Sequence, residues 1–179
     1  MRMGCCCNKN RKKWTKTVTL TFFRCELLHD IANISYVEAD VMKTDDEHDR
    51  HQVFDVIQDG NVERVTRVLD LTFAAIDEFC YPYTKVNITD GASANDLYDE
   101  AYSYNIEMRV PDDFSETTFR LMKELIHELL VCSVLADWLS ITKPEAEANW
   151  LRKIESLKDR IKGVLFARGG RTRRTLSPF

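Results

Sequence analysis

Two long helical patterns meet at a single break near the C-terminus, and this pair limits the fold more than any other feature. In the first pattern, at about 115–141, the early turns have a polar face that includes Arg120 and Lys123. The later turns are apolar on every side. A helix that is apolar all round lies at the centre of a bundle or in an interface. The sequence therefore predicts a mainly α-helical protein built around this helix.

The second pattern, at 144–167, begins with Pro144 and has Glu145 and Glu147 in its first turn, which is typical of a helix start. It is about 36 Å long as a helix. One face is charged and the other is apolar. The apolar stripe consists of Ala146, Trp150, Leu151, Ile154, Leu157, Ile161, Val164 and Leu165. The candidates for contacts between subunits are Val131, Leu135, Trp138 and Trp150.

Two short segments alternate between apolar and polar residues, which is the period of a half-buried β-strand. They are residues 15–23 and 104–110, and Pro111 ends the second. A two-stranded ribbon is marginal alone, so it must lie on helices or extend a sheet between subunits. The predicted fold is a helical bundle with a small two-stranded β ribbon, a long C-terminal helix and an extended tail.

Two further helices are predicted between the strands, at 24–41 and from Val62 to Tyr81. Asp59-Gly60-Asn61 is read as a turn, and Pro82 as the end of the second helix. Residues 83–103 are polar and predict a long surface loop. The apolar face expected for the first helix consists of Leu27, Leu28, Ile31, Ile34 and Val37.

The charges are strongly separated along the chain. Residues 1–13 contain five basic and no acidic residues, and residues 168–179 contain four arginines and no acid. Residues 14–167 hold 16 basic and all 29 acidic residues, a net charge of −13. Basic ends on an acidic body favour docking on an acidic protein surface, such as a neighbouring copy. Nucleic acid is the alternative target, although the acidic body would repel it.

The C-terminal segment cannot fold alone, but it is suited to insertion into the groove of another subunit. Its arginines can bind carboxylates there, and its aromatic side chain can anchor the segment in the groove. The docking candidates are Arg168, Arg171, Arg173, Arg174, Leu176 and Phe179. The expected organisation is a disordered basic leader at 1–14, a helical domain at 15–168 and an extended basic docking tail at 169–179. Cys5-Cys6-Cys7 in the leader has no assigned role.

Cysteine usage indicates a reducing compartment, because neither the triple cysteine nor the isolated ones form a disulfide framework. Cys25, Cys80 and Cys132 are expected to be small core residues. No run of 18 apolar residues occurs, so no membrane contact is predicted.

Two Glu-x-x-His motifs form the sharpest chemical pattern: Glu26 with His29, and Glu124 with His127. Side chains at i and i+3 share a helix face, and ferritin-like di-metal bundles use two such motifs. This is the alternative function. Against it, Glu124 and His127 fall on a polar face, and the other pair stands at a helix start. No active site is recognisable, so we expect no enzyme and no cofactor.

Three stretches, 51–71, 125–154 and 170–179 (GRTRRTLSPF), resemble small neck proteins of tailed bacteriophages of Bacteroides-type hosts, including crAss-like phages. More broadly, the architecture resembles head–tail connector (adaptor) proteins. The resemblance implies a homo-oligomeric ring, of twelve copies to match the portal protein, with a C-terminal helix and tail that reach into the portal. It implies a structural virion protein at the neck, assembled in the host cytoplasm beside adjacent neck or tail proteins. DNA would pass through the ring without sequence-specific binding.

Overall fold

The computed structural model describes residues 14–42, 47–95, 100–112 and 114–166. The elements in order are β1 (Trp14–Phe23), α1 (Arg24–Asp40), α2 (Glu47–Phe54), α3 (Asp59–Phe79), α4 (Tyr81–Thr84), β2 (Ser103–Pro111), α5 (Glu116–Thr142) and α6 (Pro144–Phe166). A 3-10 turn, Asp55–Ile57, joins α2 to α3. The predicted helical bundle with a small ribbon and a long C-terminal helix is confirmed. The leader up to residue 13 and the tail lie outside the described residues.

The two strands pair antiparallel, with Val18 opposite Met108 and Leu20 opposite Ile106. Because side chains alternate across a strand, one face of the ribbon collects most of its apolar residues, although Phe23 lies on the other face. Leu20, Ile106 and Met108 are at most 1% exposed. The opposite face is polar, and there Thr21 Oγ1 donates to Asn105 Oδ1 at 2.8 Å. The ribbon is therefore stabilised by burying one face on the helices, as its alternation predicted.

Helix α5 is the centre of the structure and packs against α1, α2, α3 and α6. Its buried side chains come from all sides, which explains the loss of any polar face in its later turns. They are Thr118, Met122, Leu125, Ile126, Leu129, Leu130, Val131, Cys132, Val134, Leu135, Ala136 and Leu139. Helix α6 lies along α5 through a single stripe. That stripe consists of Ala146, Trp150, Ile154, Leu157, Ile161 and Leu165.

By length and composition alone, α5 is apolar enough to cross a membrane, with a mean hydropathy of 1.5 in its most apolar window. Within this window 56% of the residues are buried inside the protein. A core helix has the same composition, because it too must lack a polar face. The position of α5 in the core accounts for its hydropathy.

Three of the four residues expected to contact another subunit are buried inside one chain. Val131 is 1% exposed and Leu135 is 0% exposed, so neither has surface left for a contact between subunits. Trp150 is also buried, and Trp138 is half-buried with its indole N–H donating to the carbonyl of Val53 at 2.9 Å. Their apolar character is required by the core of one chain.

Several local expectations also change. The Asp59-Gly60-Asn61 segment is the first turn of α3 rather than a separate turn. Helix α3 ends at Phe79, before Pro82, and Pro82 lies in the first turn of α4. In α1, Val37 is 58% exposed, whereas the small residues Ser35 and Ala39 are buried. In α6, Leu151 is 47% exposed.

The three described cysteines divide into two kinds. Cys80 and Cys132 are buried as expected, but Cys25 is exposed, which corrects its assignment to the core. Burial, with a further contribution from Asp77, raises the pKa of the Cys80 thiol to about 12. Burial also raises the pKa of the Cys132 thiol to about 11. Since the thiolate is the reactive form, both buried thiols are inert at neutral pH.

We expect iodoacetamide at pH 8 to alkylate Cys25 at least about 100-fold faster than Cys80 or Cys132, because roughly one in ten thousand Cys80 side chains is then a thiolate. Peptide mass spectrometry after timed quenching measures the rates. The same reaction in 8 M urea is the control, where all three peptides are expected to react alike. Equal rates in the folded protein would contradict the placement of Cys80 and Cys132 in the core.

Candidate functional site

An open cleft of about 580 Å³ lies between the start of α1 and the first half of α5. Its lining consists almost entirely of titratable side chains. They are Cys25, Glu26, His29 and Asp30 from α1, and Lys123, Glu124, His127 and Glu128 from α5. Both Glu-x-x-His motifs therefore border the same cleft, although about a hundred residues separate them in sequence. We call it the α1/α5 cleft.

Helical spacing explains which side chains reach the cleft. Residues three and four apart share a helix face, so Glu26, His29 and Asp30 point the same way from α1. The equivalent spacing on α5 places Glu124 beside His127 and Glu128. The sequence identified the two Glu-x-x-His pairs, but Asp30 and Glu128 were missed. Their i+4 spacing from Glu26 and Glu124 was the available signal.

One direct bond crosses the cleft. His127 Nε2 lies 2.7 Å from Asp30 Oδ2, and the side chains are 20% and 47% exposed, respectively. The imidazole also packs near the ring of Phe22 at the end of β1, with 6.5 Å between ring centroids. His127 thus joins α5 to α1 and covers the end of the ribbon, which is a structural use for one of the two motif histidines.

The cleft is acidic, with four carboxylates and one lysine among its lining residues. With both histidines neutral its net charge is −3, which favours cations and disfavours phosphate groups. In the part of the chain that the structure describes, no three His, Cys, Asp or Glu side chains are placed to hold one metal ion. The structure brings the motifs together but does not arrange a metal centre from them.

A line of ion pairs continues along the bundle beyond the cleft. Lys153 of α6 pairs with Glu128, and Lys143 Nζ lies 3.3 Å from Glu38 Oε2. Both pairs are partly exposed, so each contributes at most about 1 kcal/mol. They join α6 and the α5–α6 connection to α5 and α1, and so help to fix the direction in which the C-terminal helix runs.

The C-terminal helix leads directly into the predicted docking segment. All six docking candidates, Arg168 to Phe179, lie outside the described residues, as do the leader cysteines. At the end of α6, the Tyr83 hydroxyl donates to the carbonyl of Leu165 at 2.9 Å and holds the last described turn against α4. The point from which the tail departs is therefore fixed.

Compared with known proteins, the chain matches no protein-family model, no curated protein and no solved structure.

Proposed function

We propose that this protein is a head–tail connector of a tailed bacteriophage: a structural protein that forms a ring under the portal and joins it to the tail. The proposal rests first on the separation of charge, with a net charge of −13 in residues 14–167 and four arginines without an acid in residues 168–179. Such a tail is suited to a carboxylate-lined groove on a partner. The resemblance of residues 51–71, 125–154 and 170–179 to phage neck proteins points to the portal as that partner.

The form of α6 supports the docking role of the tail. This 23-residue helix is about 34 Å long and rests on α5 through one stripe, with charged residues on its other face. A helix anchored in this way fixes the position of residue 166, after which the chain continues to the arginine-rich segment.

The acidic body suits a channel through which DNA passes. Carboxylates repel the phosphate backbone, so the duplex is not held by the ring as it moves. The alternative, in which the basic ends bind nucleic acid as a main role, predicts an affinity that falls steeply with salt. A di-metal protein built on the two Glu-x-x-His motifs has less support, because the α1/α5 cleft lacks a converging set of ligands.

The experiment is imaging by negative stain, together with mass photometry, of the purified chain alone and mixed with the portal protein of the same phage. The expected result is a ring, or a portal particle whose mass increases by several copies of the 20.8-kDa chain. A discrete monomer that leaves the mass of the portal unchanged would contradict the proposal. A non-cognate portal is the control for adventitious binding.

A further inference from the structure

We propose that residues 85–89 add as a strand to the free edge of β1 in a second copy of this chain. The inference deepens the proposed ring, on which it rests, by naming a contact that joins one subunit to the next. It rests on two features of the described part of the chain: a segment that belongs to no helix or strand, and a strand edge with no other described strand paired to it.

The segment, Lys-Val-Asn-Ile-Thr, has the composition of a β-strand. Val86 and Ile88 are β-branched and lie two residues apart, so in an extended chain both point to one side. In the structure their side chains are 81% and 88% exposed, the two largest values among the exposed large hydrophobic residues that the structure describes. Exposure of two β-branched side chains to water is unfavourable, and their burial in a contact would lower the free energy.

The backbone of this segment is also left open. Among the described residues, its backbone hydrogen bonds are found only at its ends, where Lys85 N–H donates to the carbonyl of Tyr81 and Ala92 N–H donates to the carbonyl of Thr89. Within the described ranges, the amides of residues 86–88 have no backbone partner. Gly91 follows with φ 81°, a left-handed conformation that turns the chain back after the segment. The segment is thus exposed, and its backbone amides are available to an added strand.

The acceptor is the outer edge of β1. Among the described elements the sheet has only two strands, so each strand has one unpaired edge. Helix α4 packs against β2, whereas the principal neighbours of β1 are β2 and α1, which continues from its end. An unpaired edge presents alternating N–H and C=O groups to any extended chain. The edge of β1 is the more open of the two.

The side chains of donor and acceptor match in spacing and polarity. On β1, Val18 is half-buried at the margin of the apolar face that Leu20 and Phe22 continue. A strand placed beside β1 would set Val86 and Ile88 next to this face, and Asn87 and Thr89 next to the threonines of the outer face. The added strand would cover Val18 and remove both exposed β-branched residues from water.

A second copy is the occupant because both halves of the contact belong to one chain, so identical subunits supply donor and acceptor alike. Such a contact is heterologous: each subunit donates to one neighbour and accepts from the other, and the series closes into a ring when the rotation allows it. This is the geometry that the proposed function requires.

The test compares two double variants of equal charge in the full-length chain. Val86→Asp with Ile88→Asp places carboxylates on the apolar side of the added strand, whereas Asn87→Asp with Thr89→Asp places them on its polar side. All four positions are exposed, so both variants are expected to fold alike. Self-association is measured by sedimentation velocity, alone and on portal particles. We expect the first variant to weaken it at least 10-fold and the second to change it less than about 3-fold.

Hydrogen exchange adds a readout that is independent of mass. In the assembled wild type, the amides of 86–89 and of β1 should become protected together, and protection of both should be lost in the first variant. Equal assembly by both variants would overturn the strand contact while leaving the ring, and hence the proposed function, intact. A wild-type chain that neither self-associates nor binds the portal would overturn both. Portal binding as a monomer would overturn the strand contact and the proposed ring.

Discussion

Replacement of Phe22 by alanine is expected to lower the free energy of unfolding by about 3–5 kcal/mol, the usual range for removal of a buried phenylalanine. Phe22 is 1% exposed and is among the largest fully buried side chains of the structure. It lies where the end of β1 meets α5, against the ring of His127. A loss of this size corresponds to a fall in Tm of about 10 °C for a chain of this length. Urea unfolding followed by circular dichroism measures it.

The neighbouring residue provides a matched control. Phe23 is 39% exposed and its ring meets Tyr102 edge-on at 5.9 Å between centroids. Its replacement by alanine is expected to lower the free energy of unfolding by at most about 1 kcal/mol. If Phe23→Ala destabilised the protein more than Phe22→Ala, the register of β1 would have to shift by one residue, since such a shift exchanges the two faces of a strand.

Deletion of residues 169–179 is expected to weaken binding to the portal at least about 100-fold while leaving the unfolding midpoint unchanged. The segment follows the last described turn of α6, so its removal takes away no described core residue. An arginine cluster and a terminal aromatic residue are the kinds of side chain that dominate interface energies, and loss of about 3 kcal/mol corresponds to this change in affinity. Biolayer interferometry against immobilised portal protein measures it.

A charge-matched variant separates docking by the tail from general electrostatic attraction. Alanine at Arg67, Arg152 and Arg160 removes three positive charges from exposed positions of the body, the same number that the deletion removes with Arg171, Arg173 and Arg174. This variant is expected to bind the portal within about 3-fold of the wild type. Equal weakening by the deletion and by this variant would show that attraction depends on net charge, and the docking role of Phe179 and the tail arginines would be wrong.

The long-period patterns of the sequence were sufficient for the architecture. The helices at 115–141 and 144–167 were predicted within one residue of α5 and α6 at both ends, because each has many turns and a proline or polar break beside it. The ribbon followed from alternation alone. Its pairing partner was predictable because the chain offers only two such segments.

Tertiary packing decides which residues of a helix are buried within one chain, and this could not be predicted from the sequence. The apolar composition of α5 is compatible with burial in a core or in an interface. Only the positions of the neighbouring helices show that Val131 and Leu135 lie inside one chain. In α1, close packing selects Ser35 and Ala39 for burial and leaves Val37 outside. The hydroxyl of Ser35 is satisfied by the carbonyl of Ala32 at 2.9 Å, a local bond that no hydrophobic pattern indicates.

The α1/α5 cleft also depends on tertiary packing that the sequence does not reveal. The two Glu-x-x-His motifs were visible in the sequence, but their meeting across one cleft depends on how α1 and α5 cross. The bond between His127 and Asp30 was not predictable either, because it joins residues 97 positions apart. Sequence spacing identifies which side chains share a face of one helix; the opposing helix decides whether they meet a ligand or one another.

The pairing of β1 with β2 has a consequence during synthesis. About 80 residues separate Phe23 from Ser103, so at a translation rate of roughly 5–20 residues per second β1 waits about 4–16 s for its partner. During this interval both edges of a threonine-rich segment that also contains Val18, Leu20, Phe22 and Phe23 are open. Nascent chains on neighbouring ribosomes of one message would then offer each other the same sequence. We therefore expect the yield of correctly folded protein to depend on the spacing between those ribosomes.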